Sequence, residues 1–170
     1  HDRSATEIEE AAIEEDAHAV AVTSYQGGHM EFFRYLRQLL DSMGGSEIRV
    51  FGGGGGTILP EEGATLLAEG VARIYSPDDG RSLGLVGMID DLLERAGHDQ
   101  PDPGDLATRI AVGEPAAVAR AITLAENQPD GAADVLGALR RAGERNPAPV
   151  VGFTGTGGAG KSSLLDELVL

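Results

Sequence analysis

The chain has no cysteine and no tryptophan. Without thiols, disulfides and thiolate metal sites are excluded, and a reducing compartment is compatible; the cytoplasm is the expected location. Aromatic residues make up only 4%, so a core must be built mostly from Leu, Val, Ile and Ala. Basic residues are also scarce, 13 Lys and Arg against 28 Asp and Glu, for a net charge of −15. Neutralising nucleic-acid phosphates needs clustered Lys and Arg, so no nucleic-acid partner is expected. No apolar run approaches the ~18 residues of a membrane span, and no membrane partner is expected.

What is present is 41% hydrophobic and 24% charged residues over 170 positions, the balance of an ordinary globular domain and a little more. Glycine, with 25 residues, is the anomaly; it is clustered rather than periodic, which excludes collagen. The sequence begins at His1 instead of methionine and stops at Leu170, inside an apolar-periodic segment without a stop signal. Both ends are therefore expected to be cuts in a longer chain.

The periodicities give three repeats of one unit. Ser4 with Glu7 reads as a capping box opening a helix to about Ala17. Ala19 to Ser24 is a continuous apolar run, as in a strand buried on both faces, and Gly27-Gly28 breaks it. A helix from Glu31 to Leu40 follows, then a strand over Ile48 to Phe51 that runs into Gly52 to Gly56. Pro60-Glu61-Glu62 opens the next helix, with acids where the macrodipole favours them. Val71 to Tyr75 is a third strand, Ser76 to Gly80 a turn, and Leu83 to Ala96 a closing helix. Strand, glycine loop and helix at roughly thirty-residue spacing predict an α/β, doubly wound parallel sheet whose strands all end at one edge, where ligands bind.

Three domains are expected: 1–97, the sheet unit; 98–146, a linker and helical region; and 147–170. Gly97 to Gly104 is linker-like in its Pro, Asp and Gly content. Asp105 to Arg145 is predicted helical in two or three pieces, including Glu114 to Asn127 and Ala132 to Ala142. Val150 to Thr154 reads as a strand and Lys161 onward as a helix.

Gly155 to Ser162 (GTGGAGKS) matches G-x-x-x-x-G-K-[ST] between a predicted strand and a predicted helix, the context the phosphate-binding loop requires. Nucleotide binding is assigned to Gly157, Gly158, Ala159, Gly160, Lys161, Ser162 and Ser163. Lys161 would reach the β- and γ-phosphates, and the Ser162 hydroxyl would ligate Mg²⁺. Lys161 is the only lysine; the other twelve basic residues are arginine. The bland alternative is a glycine-rich turn that happens to contain Lys-Ser. For Gly52 to Gly56, a site for a bulky flat ligand and a flexible turn are equally open. His1, His18, His29 and His98 are too scattered for a metal site, and surface or capping roles are expected for each. No carboxylate dyad or nucleophile–base pair is present from which to name a bond-breaking residue.

Val20 to His29 (VAVTSYQGGH), Val50 to Glu62 (VFGGGGGTILPEE) and Val71 to Gly80 (VARIYSPDDG) together resemble the cobalamin-binding domain of acyl-CoA mutases. Thr23-Ser24-Tyr25 stands at that family's Ser-x-Leu element, with Thr for Ser and Tyr for Leu, and Gly55-Gly56 at its Gly-Gly element. The family's Asp-x-His-x-x-Gly motif, whose histidine ligates cobalt, is not in this sequence. The resemblance implies a truncated flavodoxin-like sheet and a cofactor site at Thr23, Ser24, Tyr25, Gly27, Gly28, Gly55, Gly56 and Ser76.

The helices from Ala107 to Asn127 resemble those that open the GTPase chaperones of these mutases, and Gly155 to Ser163 follows in the expected place. The order of parts is similar to that of the fused isobutyryl-CoA mutase family. It implies adenosylcobalamin and GTP with Mg²⁺ as cofactors, and radical interconversion of isobutyryl-CoA and n-butyryl-CoA. It further implies an acyl-CoA substrate read by a downstream domain, a homo-oligomer, and no activity for this piece alone. Two alternatives stay open: a cobalamin-delivery or sensing protein with a GTPase and no mutase activity, and a P-loop ATPase preceded by a flavodoxin-like receiver.

Overall fold

A computed structural model describes residues 3–97, 106–145, 147 and 149–169. The expected linker from 98 to 104 lies outside the described residues, as do Asn146 and Ala148 of the expected second boundary. The chain divides into two compact units, His1–Ala138 and Leu139–Leu170.

In the first unit α1 (Ala5–Glu14) starts at the capping box foreseen from the sequence: Ser4 Oγ accepts from Glu7 N at 3.2 Å, and Glu7 Oε2 accepts from Ser4 N at 2.7 Å. There follow β1 (Ala19–Thr23), α2 (His29–Ser42), β2 (Arg49–Gly53), α3 (Pro60–Ala68), β3 (Arg73–Tyr75) and α4 (Pro77–Ala96). All three strands are parallel, in the order β1-β2-β3. The register aligns Thr23 with Gly53 and Gly53 with Tyr75, so the three strand ends lie side by side. Among the described residues the strands follow one another without a reversal of order, so the double winding expected from the repeats is not seen in strand order.

Successive strand residues face opposite sides, and this decides how the helices divide. Val50 packs with Phe33, Leu36 and Leu40 of α2, Leu66 of α3, and Ala5, Ala12 and Ile13 of α1. On the other face Phe51 stacks on Tyr75, with ring centroids 6.5 Å apart, and Arg73 and Tyr75 both bind Asp91 of α4. Helices therefore cover both faces, but unevenly. Ala21 and Thr23 of β1 remain exposed, as do Leu85, Val86 and Leu93 of α4. Arg37 fixes the turn between α2 and β2. Its buried guanidinium donates to the carbonyls of Ile48 at 2.6 Å and Gly45 at 2.9 Å, and to Asp41 at 2.8 Å.

One local expectation changes. Ser76 to Gly80 is not a free turn: α4 begins at Pro77, because Ser76 and Asp79 form a second capping box and proline fixes the first helical φ. The helix is interrupted at Gly84 (φ 65°), close to where the sequence pattern begins. The helices expected from Asp105 to Arg145 also form among the described residues. Of these, α5 (Leu106–Ala111) and α6 (Pro115–Asn127) bury Leu106, Ala117, Ala121 and Leu124, and α6 packs on α1, with Arg120 paired to Asp16 at 3.2 Å. The next helix, α7 (Pro129–Arg145), carries the boundary between the units.

In the second unit α8 (Lys161–Val169) forms as expected, whereas Val150 to Thr154 forms no strand. A strand exists only through a hydrogen-bonded neighbour, and the described residues give this run none. Val150 is almost fully exposed. Among the described residues no helix is long and apolar enough to cross a membrane.

One core residue is out of character. Glu9, on the buried side of α1, is 3% exposed, and its Oε1 has no hydrogen-bond partner among the described residues. Desolvation raises its pKa above the ordinary 4.5, with Glu10 adding repulsion. The fold thus favours the neutral acid. That contribution is complete below about pH 4.5 and is lost as pH rises through the elevated folded value. Glu9→Gln, which keeps the shape without the charge, should flatten this pH dependence and add about 1 kcal/mol at neutral pH. Thermal unfolding at several pH values checks it; parallel pH profiles for the two proteins would refute it.

Candidate functional site

The aligned ends of β1 and β2 bring Thr23-Ser24-Tyr25, Gly27-Gly28 and Gly54-Gly55-Gly56 to one edge of the sheet. These loops are interlocked. Ser24 N donates to Gly53 O at 2.8 Å, and Thr57 Oγ1 donates to Ser24 O at 3.0 Å while also contacting Gly54 O. A Cβ on Gly54 would lie 2.4 Å from Ser24 O, so the close approach of the two loops demands glycine there. Gly55 has φ +56°, and its added Cβ would meet the Tyr25 ring at 2.8 Å. Tyr25 itself is 70% exposed, and Gly27 and Gly28 have nothing within 4 Å of an added Cβ. The edge is therefore bare backbone beneath one exposed aromatic ring. A recess of about 340 Å³ continues along β1, lined by Thr23, Ser24, Val20, Val22, Phe32 and Arg3 among others.

Ser76 arrives at the same edge after β3, but its hydroxyl is engaged. It donates to Asp79 Oδ2 at 2.7 Å and accepts from Asp79 N at 3.2 Å; Ser76 N, donating to the same Oδ2 at 2.8 Å, and after it the hydroxyl hold the Asp79 carboxyl below its usual range. Tyr75 beside it points away from the loops. Burial and the bond to Asp91 push its phenol up to about 12, which makes it a neutral anchor for α4.

His29 corrects the expectation of a surface or capping histidine. It is buried, and its Nε2 lies 3.0 Å from Glu62 Oε2, while its Nδ1 is 3.5 Å from Gln26 O. The same Glu62 oxygen accepts from Leu59 N at 2.8 Å, and these two partners, the backbone one first, lower its pKa. The sequence reading gives Thr57 and Glu62 no site role, weighs Gly54 only within the run from Gly52 to Gly56, and expects His29 at the surface or at a cap. Their signal was spacing: Ser24 and Thr57, like His29 and Glu62, are 33 residues apart, one full repeat. No group of three or more His, Asp or Glu placed to hold a metal occurs among the described residues.

In the second unit Gly157, Gly158, Ala159, Gly160, Ser162 and Ser163 are all exposed, with Gly158 and Gly160 at φ +77°. Lys161, the first residue of α8, folds back over the loop. Its Nζ donates to Gly155 O at 2.9 Å and Thr156 O at 2.8 Å. Ala159 N donates to Thr156 O at 3.3 Å, which tightens the turn before the helix. The loop thus carries a lysine ammonium above a run of small residues at a helix N-terminus, an arrangement suited to an anion.

Sequence comparison gives the class first. The chain is homologous to acyl-CoA mutases: it is 37% identical over 67 residues to the methylmalonyl-CoA mutase large subunit of Propionibacterium freudenreichii subsp. shermanii, across 39% of this chain and 9% of that protein. No family model matches. The similarity to one kind of these enzymes is far more extensive. The chain is 50% identical over 173 residues to the fused isobutyryl-CoA mutase of Cupriavidus metallidurans, and 51% identical over 178 residues to that of Geobacillus kaustophilus, in each case across 99% of this chain. It is homologous, over nearly all its length, to one segment of the fused isobutyryl-CoA mutases. The chain spans 16% of the length of those relatives.

Proposed function

We propose that residues 3–97 hold the nucleotide-tailed side of adenosylcobalamin at the carboxyl edge of the sheet, within an enzyme that interconverts isobutyryl-CoA and n-butyryl-CoA. The observation that carries this reading is the interlock of the Ser24 and Gly54 loops, which leaves Gly27-Gly28 and Gly55-Gly56 as exposed, side-chain-free backbone. A large flat cofactor needs such backbone to approach closely. Thr23 and Ser24 supply hydroxyls beside it, and Tyr25 supplies an exposed ring that can lie against an apolar surface. Ser76 serves through its fixed position at the start of α4, because its hydroxyl is held by Asp79. When bound, the cofactor supplies the radical that drives carbon-skeleton rearrangement. This chain's residues bind and orient it, and none of them breaks a bond.

The loop from Gly155 to Ser163 is, on the same reading, the phosphate-binding loop of a GTPase that gates cofactor loading. Lys161 would give up the carbonyls of Gly155 and Thr156 for phosphate oxygens, and Ser162 would offer its hydroxyl to Mg²⁺. The acyl-CoA is read elsewhere in the protein, which acts as a homo-oligomer in the cytoplasm.

Titrating the intact protein that carries this chain with adenosylcobalamin, followed by absorbance, tests the first part. Binding at micromolar concentration or tighter is expected, together with turnover of isobutyryl-CoA to n-butyryl-CoA. A protein that bound no cobalamin would overturn the assignment. One that bound it but rearranged no acyl-CoA would leave a cobalamin carrier.

A further inference from the structure

Two loops form the proposed cofactor edge, and beyond the Ser24 N to Gly53 O bond at the strand ends their side chains tie them at two points. The inner tie is Thr57 Oγ1 to Ser24 O, against the strand ends. The outer tie is His29 to Glu62, which joins the first turn of α2 to the first turn of α3. Tyr25, Gly27 and Gly28 lie between the two ties on the first loop, and Gly55 and Gly56 lie just before the inner tie on the second. We propose that the His29–Glu62 pair is a positioning clamp that sets the separation of these two loops, so that the slot between them is formed before the cofactor arrives.

The chemistry of the pair supports a spacer of fixed length. An ionised carboxylate only accepts, so the imidazole must carry its proton on Nε2. Glu62 cannot swing away with the ring, because Oε2 also accepts from Leu59 N, two bonds converging on one oxygen. His29 is equally confined. It is buried at the foot of α2, and Gly28 before it sits at φ +88° with no side-chain cap of its own. The helix therefore begins on a residue whose ring is fastened to the neighbouring repeat. A fully solvent-exposed ion pair would be too loose for this role, but His29 keeps only 10% of its side chain in contact with solvent and Glu62 30%. Preformed geometry of this kind raises affinity by sparing the ligand the cost of ordering loops.

This inference rests on the cobalamin reading, and the test separates the two. In the intact protein, adenosylcobalamin affinity is measured for wild type, His29→Ala, Glu62→Ala, the double variant and His29→Gln, with thermal unfolding recorded for each. Each single alanine variant should bind about tenfold more weakly, and the double variant no more weakly than either single, because the two residues act as one unit. His29→Gln should recover most of the loss, since its amide can still donate to Glu62. Hydrogen exchange in the cofactor-free protein should accelerate over residues 24–28 and 54–59 in both alanine variants. Absence of binding by the wild type sinks the cobalamin reading itself. A wild type that binds, with alanine variants of equal affinity or with losses that add in the double variant, sinks the clamp alone. Losses that follow only the unfolding temperature, with no rescue by glutamine, also sink it.

Discussion

Gly55→Val is expected to abolish cobalamin binding, with a loss of at least about a hundredfold, while the intact protein stays folded. Two effects combine at this position. Its φ of +56° is a conformation that a β-branched residue rarely adopts, at a cost of roughly 1–3 kcal/mol. The added side chain would also occupy the space beside the Tyr25 ring, 2.8 Å from Cε1. The strain alone does not explain a total loss, and a series separates the contributions. Gly55→Ala carries most of the backbone strain with little volume, so it should bind measurably, though more weakly than wild type. Tyr25→Ala removes the only side chain among the described residues that the new Cβ would meet. If the valine merely displaced Tyr25, then Gly55→Val combined with Tyr25→Ala would bind as well as Tyr25→Ala alone. The expected result is that the double variant stays unable to bind, because the volume is needed by the cofactor. Absorbance titration reads each case, and circular dichroism checks the fold.

The parts of this site that were legible in the sequence are those encoded locally. The apolar run from Ala19 to Thr23, the glycines after Phe51, and the Ser4–Glu7 box each state their structure within a few residues, and the three-stranded parallel unit follows from their order. The start of α4 was equally local, since Ser76, Pro77 and Asp79 are a cap, a first-turn proline and a box partner. The same five residues, Ser-Pro-Asp-Asp-Gly, are also turn-like in composition, so the local signal is ambiguous there. What was not legible is tertiary. For His29 the sequence offers nothing beyond its 33-residue spacing from Glu62, and only the packing of α2 beside α3 brings Glu62 within 3.0 Å of it. Gly54 was hidden inside a run of five glycines, and its necessity appears only when Ser24 O is found where its Cβ would be. Tyr25 stands where the resembled family has leucine, and the structure gives it a place: over Gly55, exposed, at the mouth of the edge.

The second large effect belongs to Lys161. Its ammonium is held by two main-chain carbonyls, Gly155 O at 2.9 Å and Thr156 O at 2.8 Å, so the charge is stationed over the loop. A nucleotide phosphate would compete for those same N–H donors and win, because its negative charge adds a coulombic attraction to the ammonium that a neutral carbonyl lacks. Lys161→Ala in the intact protein should therefore cost roughly 1.5–3 kcal/mol, about ten- to a hundredfold in nucleotide affinity. Lys161→Arg should fail as well. The ammonium is compact and reaches two carbonyls five and six residues away, whereas the guanidinium is a wide planar fork that the turn closed by Ala159 N and Thr156 O does not accommodate. Ser162→Ala should act differently, weakening Mg²⁺-dependent hydrolysis more than nucleotide binding, since its exposed hydroxyl is assigned to the metal. Equilibrium binding of GTP with and without Mg²⁺, alongside phosphate release, distinguishes the three variants. Neither lysine substitution should alter cobalamin affinity in nucleotide-free protein, because the interlock of Ser24 with Gly53 and Thr57 involves no residue of the second unit. Wild-type hydrolysis by Lys161→Ala would show that this loop does not hold the reacting phosphates.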